Sequence, residues 1–128
     1  MKYQDITEQI ITCCFKVHNT LGNGFQEVIY QRALEIEFLN KQIPFHREFE
    51  MPILYEGHHI GTRRVDFLVN ELISVELEAL INLEKVHYAQ AINYLEAYNL
   101  EIGMLINFGA NNLEFKRLTN KKFKDPLK

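Results

Sequence analysis

The chain has 128 residues, of which 47% are hydrophobic, 12% aromatic and 24% charged. That length and composition suit one domain with a substantial core and exclude a disordered chain. The formal net charge of −3 gives no global attraction to nucleic acid, and no apolar run is long enough for a signal peptide or a membrane span.

From Asp5 to Leu21 the residues Ile6, Ile10, Cys13, Val17 and Leu21 recur at spacings of three and four, which predicts an amphipathic helix. Cys13 and Cys14 are adjacent within it, out of reach of ordinary bridge geometry and without a spaced Cys/His set. They read as reduced packing residues in a soluble, cytoplasmic protein. Gly22-Asn23-Gly24 breaks the helix, and a second one is expected from Phe25 to Lys41, with Tyr30, Leu34 and Phe38 on one face.

Between Phe45 and Leu80 the period changes to two. Strands are expected near Glu48 to Tyr55, His59 to Asn70 and Leu72 to Ala79, joined by turns too short for crossovers and therefore antiparallel. Residues 84 to 99 return to helical spacing, with Ala89, Ile92 and Leu95 as the expected core face and Gln90 and Tyr94 as a polar strip beside it. Ile102 to Phe108 reads as a buried strand and Leu113 to Leu118 as a last one. The order is ααβββαββ, an α/β (α+β) fold with helices covering a mixed sheet, in one domain spanning residues 1–128. The end of the chain, residues 119–128, is basic and is expected to fray, with phosphate contact as its functional alternative.

The chemistry concentrates in Arg63-Arg64-Val65-Asp66-Phe67-Leu68-Val69 and Ile73-Ser74-Val75-Glu76-Leu77-Glu78-Ala79. Strict alternation puts Val65, Phe67 and Val69 on one side with Asp66 on the other, and Glu76 and Glu78 opposite Val75 and Leu77. Neighbouring strands then present three carboxylates together. Such a cluster repels itself and suits a hard divalent cation, which in turn serves phosphodiester hydrolysis. The bland alternative is a row of solvent-facing acids. Glu27 opens the second helix, and Gln90 is a candidate for orienting a water or a phosphate.

These residues resemble the GxxExxY proteins, a family grouped within the PD-(D/E)XK nuclease superfamily. The naming motif reads Gly24-Phe25-Gln26-Glu27-Val28-Ile29-Tyr30, and the likeness continues through Asp66, the Glu76 strand, His87-Tyr88-Ala89-Gln90 and Gly103 to Phe108. The resemblance implies a restriction-endonuclease-like core and Mg²⁺ or Mn²⁺ held by Asp66 and Glu76 with Glu27 in support. It further implies catalytic roles for Glu27, Asp66, Glu76 and Gln90, and DNA or RNA as substrate; Glu78, which departs from the family pattern, is a candidate catalytic base or further metal ligand. A protein partner or self-association is the alternative for a chain that binds without cutting.

One departure stands out. The signature Glu-x-Lys is Glu76-Leu77-Glu78 here, so an acid occupies the place of a cation that helps to orient the attacking water and neutralise developing charge. Arg63, Arg64 and Lys85 are the candidates to supply that positive charge from elsewhere, and Arg64, which by alternation shares a face with Asp66, is the best of the three.

Overall fold

A computed structural model describes residues 3–127. Two helices, α1 (Gln4–Leu21) and α2 (Glu27–Asn40), precede three strands, β1 (Phe45–Tyr55), β2 (His58–Val69) and β3 (Ile73–Glu78). Helix α3 (Lys85–Ala97) and strands β4 (Ile102–Asn107) and β5 (Glu114–Thr119) complete the expected order. The five strands lie in the sheet in chain order. The first three form an antiparallel meander turning on residues with positive φ, Glu56 and Gly57, then Asn70 and Glu71. Helix α3 carries the chain back along the sheet, so β4 joins β3 in parallel, and β5 returns antiparallel.

Helices α1 and α2 cover one face of the sheet and α3 the other. Ile10, Cys13, Cys14 and Val17 of α1 and Tyr30, Leu34 and Phe38 of α2 pack against Phe67, Val75, Leu77 and Met104. Both cysteines are free and buried. On the opposite face the α3 residues at the core are Ala91, Tyr94 and Leu95, against Leu68, Leu105 and Leu118. The expected α3 face is thus rotated. Ala89 is exposed, and Tyr94, expected in a polar strip, is buried among Met51, Val65 and Leu68 with Arg63 over its ring.

Alternation also fails along the β1–β2 hairpin. Near the sheet, the Phe45 ring packs tilted against Phe38 and edge-on against Phe67, and Arg47 pairs with Glu35, all toward α2. Farther out, Phe49, Met51 and Val65 pack with Tyr94 toward α3. Odd-numbered residues therefore change sides. The exchange falls at Glu48, which has φ 54°, and at Asp66 opposite it, two residues absent from the ladder, whose register holds on either side of them and shifts only farther out, between Ile53 and Leu54. An irregularity matched in both strands twists the hairpin while keeping its register.

At the other end of β3, Asn107 continues the sheet with its side chain. Its Nδ2 donates to the Leu80 carbonyl (3.0 Å) and to Glu114 Oε1 (2.8 Å), while its Oδ1 accepts from the N–H groups of Leu80 (2.9 Å) and Gly109 (3.1 Å). Glu114 Oε1 also accepts from Leu83 N–H at 3.0 Å. These bonds fix the segment that leads from Glu78 into α3.

Within the basic segment expected to fray, Asn120 and Lys124 are tied to the domain. Asn99 exchanges two hydrogen bonds with the Lys124 backbone (2.6 and 2.9 Å), and the buried Asn120 amide donates to the Leu95 and Leu100 carbonyls at 3.0 Å each. Because Thr119 pairs with Ile102, and Ile102 with Ile73, the basic tail leaves from the end of the sheet opposite Glu78.

Candidate functional site

Strands β2 and β3 pair only through Phe67↔Val75, Leu68↔Ser74 and Val69↔Ile73. Beyond that point the ladder opens, and the Asp66 carboxylate fills the gap. Its Oδ2 accepts from Leu77 N–H at 2.7 Å and its Oδ1 from Gln31 Nε2 at 2.9 Å. Burial still pushes the Asp66 carboxyl above its ordinary range, against the pull of those two hydrogen bonds.

Glu76 lies deeper. Burial, then the charge of Asp66, pushes it up to about 8, with Glu78 and Glu27 adding to the rise and Arg63 opposing it. Its Oε1 is buried without a hydrogen-bond partner. Glu78 is raised by burial, while His87 and Arg63 pull it down. Glu27, at the first turn of α2, has an exposed side chain overall, yet desolvation of its carboxyl and the charges of Glu78 and Asp66 push it up to about 7. Asp66 raises the other three acids, Glu78 acts on Glu27 and Glu76, and Glu27 acts on Glu76, so Glu27, Asp66, Glu76 and Glu78 form one electrostatic cluster. Gln90 is exposed on α3, between His87, which acts on Glu78, and Tyr94, which carries Arg63.

The motif tyrosine serves the loop rather than the cluster. Tyr30 is fully buried and stacks on Phe108 with ring centroids 4.7 Å apart. Its hydroxyl donates to the Gly22 carbonyl (2.6 Å) and accepts from Phe25 N–H (3.1 Å). It thereby sets where α2 begins, and with that the position of Glu27.

Sequence reasoning passed over Gln31. The residue lies four after Glu27 and three before Leu34, on the buried face of α2, and it is 5% exposed. Its Nε2 holds Asp66 while its Oε1 is buried without a partner. An amide within an apolar stripe was the available signal.

The choice among the cations also changes. Arg64 is directed at Glu50 (3.2 Å) and Glu48 (3.6 Å) on the exposed side of the hairpin. Lys85 is exposed at the start of α3. Arg63 acts on Glu76 and Glu78 because the twist at Asp66 turns it toward α3.

The donor set is all oxygen and mutually repelling, with unpartnered buried oxygens on Glu76 and Gln31, and this chemistry suits Mg²⁺ or Mn²⁺. Among the described residues, no three His, Cys, Asp or Glu side chains converge to hold a metal ion by themselves. Mg²⁺ is commonly held by one or two carboxylates, with waters and a substrate phosphate completing its shell.

The raised carboxyls carry a pH prediction. Between the ordinary Glu value of 4.5 and the folded values of about 7 and about 8, the native state binds more protons than the unfolded chain. Stability of the metal-free protein should therefore fall as pH rises through that window, and Mg²⁺ or Mn²⁺ should offset the loss at its alkaline end. Thermal melting across the window, with and without the ion, measures this; a melting temperature that rises toward the alkaline end without metal would contradict it.

No helix among the described residues is long and apolar enough to cross a membrane. No curated protein matches the chain. Among solved structures, the crystal structure of SSO0001 is similar with a TM-score of 0.58 at 18% identity, over 77% of this chain and 52% of that one. That likeness is one of fold, and the chain spans about half the length of that protein. The model of the PD-(D/E)XK nuclease superfamily matches residues 4–118, a span that takes in both helices of the first layer, the splayed strands and all four acids. The chain belongs to the PD-(D/E)XK nuclease superfamily.

Proposed function

We propose that the chain is a metal-dependent nuclease of the GxxExxY type, hydrolysing phosphodiester bonds of DNA or RNA. The observation that carries this reading is the buried, unpartnered Glu76 Oε1, on a carboxyl whose proton affinity is raised by its burial and by Asp66, Glu78 and Glu27. Such a set suits a hard divalent cation. Asp66 and Glu76, with Glu27 in support, would hold Mg²⁺ or Mn²⁺, which when bound supplies a water of lowered pKa and a counter-charge for a phosphoryl oxygen.

The remaining work falls to the chain's own residues. Gln31 and Leu77 N–H hold the Asp66 carboxylate in place. Glu78 accepts the proton of the attacking water as its oxygen bonds to phosphorus; the ester P–O bond breaks, and the leaving oxygen takes a proton from solvent. Gln90, on the open face of α3, is placed to meet the substrate backbone.

A second reading, a module that binds nucleic acid or a protein without cutting, is favoured by Glu78 at the signature lysine position. Incubation with single- and double-stranded DNA and RNA, with Mg²⁺ or Mn²⁺ and with a chelator control, separates the two. Cleavage that depends on the divalent ion is the expected result. Intact substrates across the whole set would leave the binding module.

A further inference from the structure

The signature's lysine carries positive charge to the scissile phosphate, and position 78 holds an acid. A nuclease built on this chain needs that charge from another element. Of the candidate cations, Arg64 is engaged by Glu48 and Glu50, and Lys85 is exposed at the start of α3.

Arg63 differs in three respects. The matched irregularity at Glu48 and Asp66 turns the outer hairpin over, so Arg63 and Val65 face α3. Glu76 and Glu78 project to that same side, alternating with Val75 and Leu77, which pack toward α1 and α2. The Arg63 guanidinium also lies on the Tyr94 ring, its carbon 3.2 Å from the centroid. Stacking uses the face of the group and leaves its N–H edge available. Finally, that edge makes no ion pair or hydrogen bond with any other described residue, although Arg63 is half-buried and within range of the charges of Glu76 and Glu78. It is a held cation with an unspent donor edge beside an acidic cluster.

We propose that Arg63, turned inward by the hairpin twist and seated on Tyr94, supplies from β2 the phosphate-binding positive charge that the signature normally places two residues after Glu76. The proposal rests on the nuclease reading above. An arginine stays protonated, so it binds and neutralises a non-bridging phosphate oxygen and leaves proton transfer to an acid. The lysine's two tasks are thereby divided between two strands.

The test compares wild type, Arg63→Gln, Arg63→Lys and the double variant Arg63→Gln/Glu78→Lys. Each is assayed for Mn²⁺ affinity by calorimetry and for cleavage, with kcat and KM separated. Arg63→Gln should lower kcat by roughly 10² to 10³-fold while binding Mn²⁺ as tightly as wild type or more tightly, since a repelling charge has gone. Arg63→Lys should recover part of the rate, and the double variant should recover more by restoring a cation at position 78. Thermal melts establish that each variant is folded, and Arg63→Lys carries the test if Arg63→Gln is not. Wild type that cleaves nothing overturns the nuclease reading and this proposal with it. Wild type that cleaves, with Arg63→Gln within about threefold of it, overturns the proposal alone. Loss of Mn²⁺ binding together with cleavage would show that Arg63 only supports the fold, and would also overturn it.

Discussion

Asp66→Ala will lower divalent-dependent cleavage by roughly 10³-fold or more, the scale of the several kcal/mol of transition-state stabilisation that a misplaced metal forfeits. The variant should nonetheless fold. Removing the carboxylate orphans Leu77 N–H and Gln31 Nε2, each costing on the order of 1–3 kcal/mol if left buried and unpaired. It also removes a charge that raises Glu76, Glu27 and Glu78. The two effects have opposite signs, and the relief is largest at alkaline pH, where those acids are ionised. Initial rates at saturating Mg²⁺, read beside a thermal melt, separate chemistry from folding. Cleavage within tenfold of wild type would remove Asp66 from the chemistry.

Gly109→Ala will destabilise the protein by more than about 3 kcal/mol, lowering the melting temperature by at least roughly 10 °C. A Cβ at this position would lie 2.3 Å from Leu80 N, 2.4 Å from Leu80 O and 2.5 Å from the Ala79 carbonyl carbon. All three are backbone atoms, so no rotamer relieves the overlap. The strand exit would have to move away from the β3–α3 connection, breaking the two hydrogen bonds between the Asn107 side chain and Leu80. Gly24→Ala is the internal control. Although Gly24 opens the naming motif, a Cβ there meets nothing within 4 Å, and the change should be near neutral. A Gly109→Ala protein that melts with wild type would contradict the account of this junction.

The same junction ties the segment from Gly103 to Phe108 to the acids. Asn107 is fully buried, and its amide stands in for one more residue of β-ladder beside Leu80. Glu78 O accepts from Phe108 N–H at 2.9 Å, so the end of the acidic strand is pinned from the parallel neighbour. Phe108 in turn stacks on Tyr30, whose hydroxyl closes the loop before Glu27. Blocks far apart in the chain are thus mechanically joined behind one cluster of carboxylates.

Element types and order were legible in the chain because they follow from local rules: periods of 3.6 and 2, short turns that force antiparallel pairing, and a helix long enough to bring β4 parallel to β3. The four acids were legible for the same reason, as polar residues interrupting apolar strands or opening a helix. What the tertiary structure alone decided is which face each side chain meets. Strict alternation put Arg64 with Asp66 and kept Val65 beside Phe67, but the paired irregularity at Glu48 and Asp66 exchanged the faces and brought Arg63 toward Glu76 and Glu78. The rotation of α3 that buries Tyr94 and exposes Gln90, and the capture of Asp66 by Gln31, have the same origin. Sequence periodicity determines which residues share an element. Packing of that element against its neighbours determines its twist and roll, and in this protein a twist at two residues settled which arginine faces the acids.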